Sequence, residues 1–314
     1  MRAIVFDGQT LSLRADYPTP NPDDDEVLVR VVRAGVCETD LQLLKGYMGF
    51  RGVLGHEFVG IPESGPFAGR RVVSEINCSC ETCTTCVAGR PSHCPTRAVL
   101  GILNHDGAFA DLIAVPQRNL HLVPDSISDD QAVFTEPLAA AFQVPAQVPV
   151  DHDDHVVVLG DGRLGNLCAQ VLARVTQHVT VIGKHPEKLA LLAPIATKLL
   201  SDVEPSHDCD LVVDCTGSPT GLPTALSLVR PRGTVVLKTT VAGEQTMPWA
   251  PIVIDEVSIV GSRCGPFGRA LQALEGGEVS VLPLISARYP LSEGIAAIDR
   301  ARAAGVLKVL LDIQ

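Results

Sequence analysis

The alternation of hydrophobic and polar positions changes character along the chain. Over roughly the first 150 residues, short runs alternate apolar and polar side chains, as in VLVRVV (27–32) and RVVS (71–74), and Gly, Pro and Asp interrupt them. Period-two runs bounded by turn formers predict short, mostly antiparallel strands. The opening MRAIVFDGQTLSLR reads as a strand pair, not as a charged-then-apolar leader. From residue 154 onward, continuous apolar runs replace the alternation. They predict strands at 156–159, 179–182, 211–215, 234–237 and 258–260, with helices at 164–175, 187–193, 220–229 and 268–275. Strands buried on both faces and alternating with helices describe a parallel α/β sheet. Pro186 opens the second of these helices, where a missing N–H costs little. The stretch 194–210 is too short for a strand plus a full crossover helix, so a trimmed sheet is expected on that side. A strand near 285–287, a helix at 291–303 and a strand at 307–312 close the chain, and they could extend the sheet or return to the first domain.

A length of 314 residues exceeds one ordinary domain, and two are expected. With 46% hydrophobic and 19% charged residues, the chain has material for real cores and is not a disordered polymer. The net charge of -11 disfavours nucleic acid and anionic membranes as partners. No run approaches the ~20 apolar residues of a membrane span. Ten cysteines without a leader point to metal binding or reduced thiols, and so to a cytoplasmic protein.

Four of those cysteines, Cys80, Cys83, Cys86 and Cys94, lie in CSCETCTTCVAGRPSHC. Four thiolates so close on a polar loop can wrap one tetrahedral Zn²⁺, and with every position filled by protein this zinc is structural. Cys78 lies just outside the spacing. A dispersed set joins Cys37 in GVCETD, His56 and Glu57 in LGHEFVG, and Glu136 in FTEPLAA. Thiolate, imidazole and carboxylate together suit a catalytic zinc that keeps one position open. Cys168, Cys209, Cys215 and Cys264 read as small core residues.

Gly160, Gly162 and Gly165, with Arg163 and Leu164, form GDGRLG between a predicted strand and a helix. That context makes a loop tight enough for a pyrophosphate to reach backbone N–H groups at a helix N-terminus. After the second strand, where an NAD site usually carries a carboxylate, stand Gly183, Lys184 and His185. Without the carboxylate a 2′-phosphate is not repelled, and Lys184 could pair with it. NADP(H) is therefore favoured, with NAD(H) as the alternative.

These motifs, together with DGAFAD (106–111) and VVDCTG (212–217), make the chain resemble the zinc-dependent medium-chain dehydrogenase/reductase family of alcohol, polyol, sugar and threonine dehydrogenases. The resemblance implies a GroES-like, mostly antiparallel β catalytic domain (1–145), a somewhat trimmed Rossmann doubly wound parallel-sheet domain (146–283), and a C-terminal segment (284–314) returning to the first domain. It makes Cys37, His56 and either Glu57 or Glu136 the catalytic zinc ligands, Thr39 the hydroxyl that accepts the substrate's proton, and Asp40 the carboxylate that orients the histidine. Lys188 matches a basic residue near the adenosine ribose. It also implies two zinc ions per chain and a homo-oligomer, a dimer or tetramer. Trp249 and GSRCGP (261–266) could line the cleft or a subunit interface. Gln42 stands where many relatives carry a histidine that relays the proton outward, and an amide cannot titrate.

The expected activity is hydride transfer between an alcohol, with polyols and sugars favoured, and a nicotinamide cofactor. The alternative is a binding or regulatory homologue that keeps the fold and the structural zinc. Such a chain should have lost Cys37, Thr39, His56 or Glu57, and all four are present.

Overall fold

In the computed structural model, which describes residues 1–239 and 249–314, the chain divides into two units. The first holds Met1–Glu136 and Phe267–Gln314, the second Pro137–Pro266. The breaks fall before the expected 145 and 283, so Phe267–Glu275 is a helix of the first unit.

Glu26–Gly35 is the central strand of the first unit. Its sequence EVLVRVVRAG buries every second residue over most of its length, as the period-two pattern requires. Glu57–Pro62 and Leu112–Pro116 pair with it antiparallel. The last strand, Lys308–Asp312, also pairs with it antiparallel, setting Leu311 opposite Ala34 and Asp312 opposite Arg33. The C-terminal segment thus rejoins the first unit through a strand in its sheet. Ile285–Pro290 adds to Lys308–Asp312 in parallel, and the helix Gly294–Ala301 lies between the two in sequence, burying Ala297 and Ile298. The opening residues form the expected strand pair, Ala3–Phe6 antiparallel to Leu11–Arg14.

The described part of the second unit holds six strands, all paired in parallel. Their order is Ala196–Leu199, His178–Gly183, His155–Leu159, Cys209–Asp214, Val229–Leu237, Ser258–Gly261. In chain order this is 3-2-1-4-5-6, the doubly wound dinucleotide fold. Val157, Leu159, Ile182, Val212 and Val235 meet Ala225, Leu226 and Leu228 in one apolar cluster.

The expectation of a trimmed sheet is corrected here. Ala196–Leu199 completes the sheet beside His178–Gly183, and what is shortened is the return connection, which has a single 3₁₀ turn, Leu200–Asp202, in place of a helix. The strand escapes a reading by apolar runs because it is an edge strand, ATKL, with three exposed residues of four. Among the described residues, no helix is long and apolar enough to cross a membrane.

Candidate active site

Cys37 follows the central strand and caps the helix Glu38–Leu43 in extended conformation. Asp40, fully buried in the first turn of that helix, accepts the Cys37 N–H at 2.8 Å and the Gly55 N–H at 3.3 Å. A buried carboxylate needs such partners, and these tie the Cys37 turn to the loop that carries His56. A third Asp40 contact is to the imidazole, with Oδ1 lying 3.3 Å from His56 Nδ1.

The loop before His56 is held by the DGAFAD segment. Ala108 and Phe109 donate their N–H groups to Gly55 and Leu54 at 2.8 and 2.9 Å. Gly55 has φ +98°, and a side chain there would strike the Phe109 ring, so glycine is required on both counts.

These turns bring the ligand atoms of Cys37, His56 and Glu57 within 4.8 Å of one another. Glu136 is not in that group; it is the second residue of the helix Thr135–Gln147. Burial alone would push the His56 imidazole down, but the Asp40 carboxylate and Cys37 raise it well above its ordinary value. A thiol, an imidazole and a carboxylate gathered this closely form a donor set that fits zinc. Thr39 Oγ1 lies 3.8 Å from Cys37 Sγ, and Gln42 Nε2 donates to Glu38 Oε1 at 2.7 Å.

Lys308 of the last strand, unremarked in the sequence reading, donates to Glu57 Oε2, with both side chains fully buried. Its Nζ also lies 5.2 Å from the centroid of the Phe134 ring. The signal was a lone cation in an otherwise apolar strand, KVLLD.

The four-cysteine lobe meets a stricter geometric test. Cys83 Sγ lies 3.5 Å from Cys86 and 3.9 Å from Cys94, and Cys94 lies 3.5 Å from Cys80. Zn–S bonds of about 2.3 Å at tetrahedral angles put sulfurs ~3.8 Å apart. Backbone N–H groups of Thr82 and Cys83 hold the Cys80 thiol well below its usual value, favouring the thiolate that a metal needs. Cys78 is outside the group, and burial raises its thiol to about 12.

In the second unit the loop 160–165 lies between the strand His155–Leu159 and the helix Arg163–Leu172. Gly160 has φ +112°, and a side chain there would meet the Cys215 carbonyl; one at Gly165 would strike the Gly160 carbonyl, so the helix sits tight on the loop. Gly160, Gly162, Gly183, Lys184, His185 and Lys188 line one cavity, together with Asp161, Cys215 and Thr216. Arg163, Leu164 and Gly165 do not line it.

The position of a Gly183 side chain is taken by Asp161. Asp161 reaches across from the glycine loop, its Oδ2 accepting the N–H groups of Lys184 at 2.6 Å and His185 at 2.7 Å. Burial works against its ionisation, but the His185 ring and the two backbone donors outweigh that and hold the carboxyl below its ordinary value. Sequence reading missed Asp161 because a variable position in G-x-G carries no expectation.

Residues 23–125 match the family described as alcohol dehydrogenase GroES-like domain, and residues 164–275 the family described as zinc-binding dehydrogenase. The chain is 30% identical to a sorbitol dehydrogenase of Halalkalibacterium halodurans, over 94% of each chain. A crystal structure from Escherichia coli CFT073, described as a short chain alcohol dehydrogenase complexed with NADH, superposes with a TM-score of 0.90. It shares 27% identity and the match covers 100% of this chain and 99% of that one. A putative zinc-binding dehydrogenase of Sinorhizobium meliloti 1021, bound to NADP, gives 0.88 at 28% identity, covering 99% of each chain.

Proposed function

The chain belongs to the zinc-dependent medium-chain dehydrogenase/reductase family of NAD(P)-dependent alcohol and polyol oxidoreductases, and on that premise we propose that it moves a hydride between a polyol, sugar or other polar alcohol and a nicotinamide cofactor. The observation that carries this reading is the convergence of Cys37, His56 and Glu57 within 4.8 Å.

When bound, zinc acidifies the substrate hydroxyl in oxidation and polarises the carbonyl in reduction. Cys37, His56 and Glu57 would hold it. Asp40 lies 3.3 Å from His56 Nδ1, a placement that would orient the ring and leave Nε2 for the metal. Thr39, beside Cys37, takes the alcohol's proton at Oγ1. With Gln42 tied to Glu38, the proton leaves Thr39 by water or the cofactor ribose and not through an imidazole.

The spacing of Cys80, Cys83, Cys86 and Cys94 supports a second, structural zinc. Clustered thiols as metal ligands suit the reducing cytoplasm. A second copy of the chain is the proposed partner. Among the described residues Ser258–Gly261 ends the parallel sheet, and Trp249, Val253 and Ile254 are exposed on and beside the short helix Ala250–Ile254. A sheet edge among the described residues with exposed apolar side chains nearby suits burial in a symmetric assembly.

The test is a panel of polyols, sugars and simple alcohols offered to zinc-replete protein with each nicotinamide, read as absorbance of the reduced ring. Turnover on a polar alcohol that disappears in Cys37→Ser is expected. A zinc-replete protein that turns over no alcohol or carbonyl on the panel would sink the reading.

A further inference from the structure

At the end of the second strand of a dinucleotide fold, a carboxylate ordinarily receives the hydroxyls of the adenosine ribose. Here that position is Gly183, and its missing side chain is not a vacancy. A Cβ on Gly183 would lie 2.5 Å from Asp161 Cβ and Oδ2 and 2.8 Å from Cγ. Gly183 gives the clearance that lets a carboxylate from the neighbouring glycine loop stand in the same place. Asp161 is 8% exposed and is anchored by the N–H groups of Lys184 and His185, with the His185 ring nitrogen Nδ1 3.0 Å from both its oxygens. It still lines the nucleotide cavity.

We infer that Asp161 sets the cofactor specificity of this protein, accepting from the adenosine ribose hydroxyls and excluding a 2′-phosphate, so that NAD is preferred to NADP. The inference rests on the dehydrogenase reading and reverses the preference drawn from Gly183 and Lys184 alone. Two arguments carry it. Backbone N–H groups after the second strand are the donors that a 2′-phosphate would seek, and both are already satisfied by a built-in anion. A phosphate must either displace that carboxylate from its charge-assisted hydrogen bonds or lie against a like charge in a partly buried site. A ribose hydroxyl meets neither obstacle: three of the four contacts fall on Oδ2, so Oδ1, with only the His185 ring beside it, can still accept. Lys184 does not reverse the balance: its side chain is exposed, so its attraction for a phosphate is screened by water, while the carboxylate is not.

The experiment is calorimetric titration of NAD, NADP, 5′-AMP and 2′,5′-ADP into the zinc-replete protein and two variants, independent of turnover. The unaltered protein should bind NAD at least tenfold more tightly than NADP, and 5′-AMP more tightly than 2′,5′-ADP. Asp161→Asn, which keeps the shape and removes the charge, should shrink both ratios by roughly ten- to a hundredfold. Asp161→Gly combined with Gly183→Asp returns the carboxylate to the strand end and should restore the preference for NAD. An unaltered protein that binds NADP as tightly as NAD would overturn the inference and leave the dehydrogenase reading standing. So would an Asp161→Asn variant with unchanged ratios. Failure of the unaltered protein to bind either dinucleotide would overturn both.

Discussion

Lys308 and Glu57 form an ion pair in which neither side chain reaches solvent, and it joins the last strand of the chain to the metal pocket. The pair spans 251 residues of sequence. It gives the buried Glu57 carboxylate a cationic partner and holds that carboxylate beside Cys37 and His56. Gly35 completes the arrangement: a side chain there would come within 2.7 Å of Val133 Cγ1, 3.0 Å of Glu57 Oε2 and 3.1 Å of Lys308 Nζ.

Removing one partner of such a pair leaves an uncompensated buried charge. Lys308→Met should therefore cost about 3–5 kcal/mol of stability. Lys308→Met combined with Glu57→Gln should recover part of that loss, because the orphaned charge is gone. Urea denaturation of the two variants against the unaltered protein checks this. A double variant no more stable than the single one would mean that packing, and not charge, is what Lys308 supplies.

In the four-cysteine lobe, Cys86→Ala should remove one zinc per chain and leave the other, since the two ligand sets share no residue. The few apolar side chains in the lobe cannot hold it without metal, so it should become sensitive to proteolysis. Zinc analysis and limited proteolysis measure these separately. Unchanged metal content in the variant would refute the structural-zinc assignment.

The lobe was legible because its four ligands lie within fifteen residues, from Cys80 to Cys94, and their spacing alone carries the chemistry. The parallel sheet was legible because strands buried on both faces leave continuous apolar runs, as in HVVVL and CDLVVD. What stayed hidden were relations across sequence. Ala196–Leu199 belongs to the sheet through backbone pairing, and its side chains advertise nothing. Lys308 stands out in its strand, yet nothing in the sequence names Glu57 as its partner. At Gly183 the sequence shows which side chain is missing, but not that Asp161 lies against that position.

On the proposed assignment Asp40 acts through His56 and Cys37, so its replacement should separate metal affinity from folding. Asp40→Asn keeps an acceptor for the Cys37 N–H but removes the charge beside His56 Nδ1. Loss of such a partner typically weakens metal binding or activity 10–100-fold. Competition with a chelator should show one zinc leaving more readily while the lobe zinc is retained. A variant that retains both ions as tightly as the unaltered protein would deny Asp40 its orienting role.

The last prediction concerns acid stability and follows from Asp130. Its carboxylate accepts from Arg33 Nη1 at 2.6 Å and from Arg288, so it ties Glu26–Gly35 to Ile285–Pro290; Arg33 also reaches Asp312 of the last strand. Burial pushes the Asp130 carboxyl up, but the two arginines outweigh it and hold it below its ordinary value. The unfolded chain therefore binds this proton more readily than the folded one. Stability from this group is fully present above the ordinary carboxylate value of about 3.9 and is lost as pH falls from there through the lower folded value. Asp130→Asn has no charge to lose, so its stability should fall less steeply below about pH 4 while being lower at neutral pH. Denaturation midpoints of the two proteins, measured from neutral to acid pH, should converge on the acid side. Parallel curves over the whole range would mean that these contacts hold the C-terminal segment no more firmly when charged than when neutral.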